Sequence, residues 1–360
     1  AQSNWRLRGQ EPAAAPTCPP RQPCPPNESD GPVTLPEILR DNLALPVVGS
    51  PLFICSGPEL VIAQCSAGVV GSFPALNARP AAVLREWLEQ ISTTLDTRRR
   101  EHPELVTAPF AVNQIVHRSN ERLDEDVQAC IDFKVPIVIT SLGARADVND
   151  AIHSYGGIVL HDVINNTFAR KAIDKGADGL IAVAAGAGGH AGTISPFALV
   201  QEIREWFDGP LLLSGAIGHG RSILAAQAAG ADLAYIGSAF LATTEARTED
   251  AYKQMITTSG ASDIVYSNLF TGVHGNYLRG SIEAAGLDPD DLPQSDPSAM
   301  DFGSGGNTDA KAWKDIWGAG QGIGPIQEVV PTAELVARLG RQYAAARAQL
   351  FAEELASTAV

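Results

Sequence analysis

The chain has 360 residues, 45% of them hydrophobic and 19% charged, which suffices for one large core or two modest ones. Its formal net charge of −15 excludes a surface built to neutralise nucleic-acid phosphates or anionic lipid headgroups. The longest apolar runs, Val135 to Thr140 and Gly179 to Ala187, fall far short of the roughly 20 residues of a spanning helix, so a soluble protein without nucleic-acid or membrane partners is expected.

In chain order, residues 1–32 come first, with eight of the 24 prolines, balanced charge and almost no apolar periodicity. Such a segment cannot bury enough surface to fold alone and reads as a flexible leader. From Leu45 onward short apolar runs alternate with stretches of helical period. The runs are Leu45 to Phe53, Gly68 to Phe73, Pro109 to Gln114, Pro136 to Thr140, Gly156 to Leu160, Gly179 to Ala184, Pro210 to Ser214 and Leu233 to Gly237. Helix candidates between them include Ala81 to Thr97, Asn120 to Lys134, Asn165 to Lys175, Pro196 to Phe207 and Gly220 to Ala229. Strands that are apolar throughout, without alternation, are those covered on both faces by crossover helices.

The stretches Lys175-Gly-Ala-Asp-Gly-Leu and Ala229-Gly-Ala-Asp-Leu-Ala echo one another, each placing glycine at a helix end just before an apolar run. Eight βα units over residues 33–246 therefore predict an α/β fold, a (β/α)₈ TIM barrel. A doubly wound open sheet is the alternative, because one sequence does not reveal strand order. Residues 247–328 are less regular and read as a cap or extension that contributes to the active site. Thr332 to Leu355 is strongly helical, and residues 329–360 are expected to pack on the barrel as a closing helix.

In this fold the loops after the strands form the active face. After the seventh run comes Ser214-Gly-Ala-Ile-Gly218, and after the eighth Gly237-Ser238, expected to open a helix. Glycines let backbone N–H groups approach an anion, and a helix N-terminus adds a favourable dipole, so these loops read as a phosphate site; tight turns alone are the plainer explanation. After the sixth run, four glycines surround His190 in Ala185-Gly-Ala-Gly-Gly-His-Ala-Gly192. Gly186, Gly188 and Ala191 satisfy a dinucleotide pattern, but the next run ends at Ser214 rather than at an acidic ribose-binding residue, which makes that match coincidental. One imidazole on a flexible glycine-rich loop over a barrel mouth suits proton transfer near neutral pH. His161, His219 and His274 are secondary candidates; His102, His117 and His153 read as solvated.

The five cysteines, at positions 18, 24, 55, 65 and 130, form no CxxC pair and have no histidine at metal-ligand spacing. Neither a disulfide framework nor a metal site is implied; Cys55, Cys65 and Cys130 read as small buried hydrophobes, and a reducing cytoplasm fits. No nucleophile elbow, phosphate-loop lysine or HExxH motif supports a hydrolase or kinase.

The stretches Ser50-Pro-Leu-Phe-Ile-Cys-Ser-Gly-Pro-Glu-Leu, Gly71-Ser-Phe-Pro-Ala-Leu-Asn, Ala187-Gly-Gly-His-Ala-Gly, Leu213-Ser-Gly-Ala-Ile, the segment from Gly230 to Thr243, and Ala319-Gly-Gln-Gly-Ile-Gly together resemble the nitronate monooxygenase family. The resemblance runs from about Leu43 to Ile326. It implies non-covalent FMN in the barrel mouth, with Pro51, Leu52, Phe53 and Asn113 against the isoalloxazine ring. It further implies that Ser214, Gly215, Ala216, Gly237 and Ser238 hold the phosphate, with Gly188 and Gly189 also at the cofactor and Gln321 closing over flavin or substrate. His190 would be the catalytic residue, removing an α-proton from a neutral nitroalkane; a nitronate, already ionised, needs no such step. Reaction with O₂ then gives a carbonyl compound and nitrite. One departure stands out: a basic residue that some relatives carry after the fifth strand is replaced by His161-Asp162. An FMN- and NAD(P)H-dependent enoyl-thioester reductase, or a non-catalytic flavin-binding barrel, remains open as an alternative, as does assembly into a homo-oligomer.

Overall fold

The computed structural model of the protein describes residues 35–295 and 316–357. The expected leader, with Cys18 and Cys24, lies outside the described residues. Eight parallel strands form one sheet: β1 (Val47–Gly49), β2 (Gly71–Pro74), β3 (Phe110–Ile115), β4 (Ile137–Ser141), β5 (Ile158–Val163), β6 (Gly179–Val183), β8 (Leu211–Ser214) and β9 (Leu233–Ile236). Their order is β1-β9-β8-β6-β5-β4-β3-β2. The two strands at the ends of this order meet through a parallel bridge between Val48 and Val70. There the Gly49 amide donates to the Val70 carbonyl at 2.8 Å, and the Val70 amide to the Val47 carbonyl at 3.1 Å. The sheet therefore closes on itself as a barrel, and a doubly wound open sheet is ruled out.

Each strand overlaps one of the eight predicted runs, with β2, β3, β4 and β5 extending one to three residues beyond the run's end, and the reason is burial on two faces. Val48, Ala111, Ile137, Ile139, Leu160, Ile181, Leu212 and Leu233 fill the interior and are at most 1% exposed. Each such large side chain is worth roughly 1.5–3 kcal/mol over its exposed state. Leu39 of the short helix α1 (Glu37–Arg40) joins the same interior cluster.

The outer layer is made by α2 (Pro58–Ser66), α3 (Ala82–Glu101), α4 (Leu123–Asp132), α5 (Ala146–His153), α6 (Asn166–Asp174), α7 (Pro196–Arg204) and α8 (Gly220–Ala228). Helix α3 buries Leu84, Leu88, Ile91 and Leu95, a single apolar stripe at helical spacing. Asn165 caps α6, its side chain accepting from the Phe168 amide at 3.0 Å.

The repeated Gly-Ala-Asp stretch has one structural role used twice. Asp178 accepts the Val159 amide of β5 at 2.7 Å, and Asp232 accepts the Leu211 amide of β8 at 2.8 Å. Each carboxylate thus fixes the start of the neighbouring strand and takes a second side-chain partner: His153 Nε2 for Asp178, the Arg204 guanidinium for Asp232.

Beyond β9 come α9 (Ser238–Leu241), α10 (Asp250–Thr258), β10 (Ile264–Ser267), β11 (Gly275–Leu278), α11 (Arg279–Ala284) and α12 (Thr332–Ser357). Helix α12 crosses α8 at Gly220, where a Cβ would run into the Leu339 carbonyl and the Tyr343 amide. Among the described residues no helix is long and apolar enough to cross a membrane.

Candidate active site

A cavity of about 980 Å³ opens at the C-terminal ends of the barrel strands. Its lining brings together Pro51, Leu52 and Phe53 after β1, Asn113 on β3, and Gly188, Gly189 and His190 after β6. Ser214, Gly215, Ala216, Gly237 and Ser238 complete the set from the ends of β8 and β9. Gln321 is the exception. Its neighbours Gly320 and Gly322 line the cavity, whereas Gln321 is exposed and its backbone amide donates to the Gly186 carbonyl at 2.9 Å.

The glycines are required by close approach. Gly215 has φ +143°, and a Cβ there would lie 2.8 Å from the Ala185 carbonyl oxygen. A Cβ on Gly188 would lie 2.8 Å from the Gly320 amide nitrogen. Ala216, beside Gly215, holds φ +55°, a conformation that costs about 1 kcal/mol or more for a residue with a side chain. The Ser238 hydroxyl accepts the Gly320 amide at 2.9 Å and keeps its own hydrogen to donate into the cavity. Helix α9 spans only four residues, so the dipole expected of a helix opening at Ser238 is small, and hydrogen bonding must carry anion binding there.

His190 does not sit on a flexible loop, as its glycines suggested. Gly189 and His190 form a two-residue strand, β7, antiparallel to β11, which in turn pairs with β10. Gly275 lies opposite His190 and Asn276 opposite Gly189, and the Asn276 side-chain amide donates to the Ala187 carbonyl at 2.6 Å. The segment read as an irregular cap thus clamps the histidine. His190 Nε2 lies 3.1 Å from Thr271 Oγ1, whose hydrogen goes to the Val273 carbonyl at 2.9 Å. The proton is therefore assigned to Nε2, and Nδ1 carries the lone pair. Burial pushes the imidazole down to about 4, so it is neutral at pH 7.

The inward faces of the strands change character at the cavity. Two residues beyond Ala111, Ile139, Leu160, Leu212 and Leu233 on the same faces come Asn113, Ser141, Asp162, Ser214 and Tyr235. The apolar interior therefore ends in a polar floor. Asn113 donates to Ser141 Oγ at 2.7 Å, and Ser141 donates to Asp162 Oδ2 at 2.6 Å. Burial pushes the Asp162 carboxyl up to about 6, opposed by the Ser141 hydrogen bond. Among the described residues Asp162 Oδ1 is buried without a hydrogen-bond partner, and the buried Tyr235 hydroxyl has Ser50 in reach but no hydrogen bond of good geometry.

The remaining histidines separate clearly. His161 also lines the cavity, its Nδ1 2.6 Å from Thr140 Oγ1, and burial pushes it down to about 4. His219 caps α8 by accepting the Arg221 amide at 3.0 Å, a structural role. His274 lines the cavity and stacks on Tyr266 with centroids 5.0 Å apart. Cys55, Cys65 and Cys130 are buried and free. Sequence reasoning did not single out Thr271, Asn276, Ser141 or Tyr235; only the pairing of distant strands brings them to the site.

A closed parallel barrel whose large cavity lies at the C-terminal ends of its strands, lined by glycines and an imidazole, has the architecture of a barrel enzyme. The family model for nitronate monooxygenases matches residues 42–342, and the chain belongs to that family. It is 28% identical over 345 residues to a nitronate monooxygenase of Paraburkholderia phytofirmans, covering 82% of this chain and 92% of that protein. It is also 24% identical over 254 residues to an octahydroindene-carboxyl-CoA dehydrogenase of Rhodococcus jostii, covering 67% of this chain and 68% of that one. The solved structure of nitroalkane oxidase from Streptomyces ansochromogenes shares the fold, with a TM-score of 0.72, 24% identity and coverage of 86% of this chain and 99% of that one.

Proposed function

We propose that the protein binds FMN in the cavity and oxidises alkyl nitronates with O₂ to a carbonyl compound and nitrite. The observation that carries this reading is the clamped, neutral His190 facing one cavity together with a glycine- and serine-lined cradle. The cavity is large enough for a ring cofactor and a small substrate together. Ser214, Gly215, Ala216, Gly237 and Ser238 would hold the phosphate, with Gly188 and Gly189 beside it, while Pro51, Leu52, Phe53 and Asn113 would lie against the ring. The under-satisfied polar atoms of the floor and the space beside Gly237 fit such an occupant. When bound, FMN supplies the electron acceptor and the route to O₂.

The chain's own residues bind, orient and move a proton. His190 is in its unprotonated form at pH 7 and accepts the α-proton of a neutral nitroalkane, while Thr271 Oγ1 beside Nε2 and the strand pairing with β11 fix the ring's position. A nitronate arrives without that proton, so the same site acts on it by binding and orientation alone. The test is the visible spectrum of the purified protein followed by anaerobic addition of nitronate or of NADPH. A yellow protein bleached by nitronate supports the reading; bleaching by NADPH alone moves the chain to the enoyl-thioester reductase chemistry, and a protein that binds no FMN overturns it.

A further inference from the structure

Among the described residues the floor of the cavity holds a carboxyl oxygen with no hydrogen-bond partner and a tyrosine hydroxyl that Ser50 reaches only in poor geometry. Buried polar atoms are almost always hydrogen-bonded, and each one left alone costs about 1–3 kcal/mol. Tyr235 is only 6% exposed, its hydroxyl has no well-formed hydrogen bond, and it lines the cavity. Asp162 Oδ1 is in the same position across the floor, near enough for its charge to act on the Tyr235 hydroxyl. The other carboxyl oxygen is held by Ser141, which is held by Asn113, so the carboxyl cannot swing away to find a partner.

An acceptor and a donor on one cavity floor, above an apolar barrel interior, match a flat heterocycle edge that carries N–H and C=O groups. We propose that Asp162 and Tyr235 form a subsite for the polar edge of the flavin ring, and that the charge on Asp162 is coupled to reduction of that ring. This rests on the flavin reading above. Reduction brings two electrons and, near neutral pH, negative charge onto the ring's N–C=O edge. An ionised carboxylate beside it opposes that change, whereas a protonated carboxyl donates a hydrogen bond to it. Asp162 would therefore gain a further proton from solvent on reduction, beside the one that the ring itself takes up.

The groups facing Asp162 leave its charge uncompensated. They are Ser141 from β4, Tyr235 from β9 and Asn113 of β3 through Ser141; Ser50 after β1 reaches Tyr235, and His161, the neighbour of Asp162 on β5, is held at Thr140. Lys171 of α6 and His190 of β7 line the same cavity, and among the described residues no ion pair reaches Asp162. Burial has already pushed the carboxyl up to about 6, so both of its forms are reached between pH 5 and pH 8.

The experiment equilibrates the FMN-loaded protein with a reference dye and dithionite at pH 5 and pH 8. At pH 8 Asp162→Asn is expected to raise the reduced-to-oxidised ratio roughly tenfold at a fixed dye potential, the effect of a one-unit linked pKa change. At pH 5, where the native carboxyl is protonated, the two proteins should coincide. Identical behaviour at both pH values overturns the coupling. Tyr235→Phe removes only the hydroxyl and is expected to weaken FMN binding to the apoprotein roughly tenfold, read by fluorescence quenching. An unchanged dissociation constant there overturns the subsite, and this variant carries the test alone if Asp162→Asn loses its far-UV circular dichroism. Failure of the native apoprotein to bind FMN at all would instead sink the flavin reading, a result distinct from either.

Discussion

Replacing Asp232 by alanine removes two interactions at once from the start of β8. The Leu211 amide loses its 2.8 Å acceptor, and Arg204 loses a 2.6 Å partner at a site where the two side chains are only 16% and 13% exposed. An unsatisfied amide costs about 1–3 kcal/mol. Breaking a buried ion pair costs about 3–5 kcal/mol, but Arg204 keeps the Gly230, Phe207 and Gly209 carbonyls as acceptors, which brings its share down to about 1–2 kcal/mol. The sum is about 3 kcal/mol, or, for a chain of 360 residues, a fall in thermal midpoint of roughly 4–5 °C. Asp178→Ala breaks the equivalent pair at β5, but there both side chains are 35% exposed and the partner is a histidine. It should cost about half as much. Differential scanning fluorimetry of both variants measures the contrast. A loss at Asp178 equal to or greater than that at Asp232 would refute the argument that burial of the pair, rather than the repeated turn itself, sets the cost.

Gly237→Val should abolish FMN retention while leaving far-UV circular dichroism unchanged, because a Cβ there meets Leu52 and Ser50 only at 3.4–3.6 Å and otherwise faces the cavity. Burial pushes the Cys65 and Cys130 thiols up to about 12 and also raises Cys55, so none of the three should react with a thiol reagent at pH 8 until the protein is unfolded. A base works in its unprotonated form, and the His190 imidazole is pushed down to about 4. In the Asp162→Asn background, which removes the cavity carboxyl that titrates near 6, turnover of a neutral nitroalkane should therefore hold level from pH 8 to pH 5 and fall only as pH approaches 4; a limb near 6.5 there would contradict the burial.

The barrel was legible because its strands are buried on both faces. Runs such as Gly179 to Ala184 are apolar without alternation, and the local pattern is sufficient to find them. Helix α2 went unnamed because its buried residues, Pro58, Leu60, Val61, Gln64 and Cys65, leave no clean polar stripe. Strands β10 and β11 hid for a different reason. Each has four residues, and the strand β7 that pairs with β11 has two, lying some 85 positions away in the chain where no local period reports it. The same limit explains the site. The glycine loops and His190 announce themselves by composition, whereas Tyr235 sits inside an apolar run and is marked only by a buried hydroxyl without a well-formed hydrogen bond.

The central claim is that His190 moves a proton, and His190→Asn tests it on two substrates. General-base catalysis supplies about 10²–10⁴-fold, so the variant's turnover of a neutral nitroalkane should fall by that order while oxidation of the preformed nitronate suffers far less. Equal losses on both substrates, with FMN content unchanged, would contradict proton transfer and leave His190 a binding or positioning group.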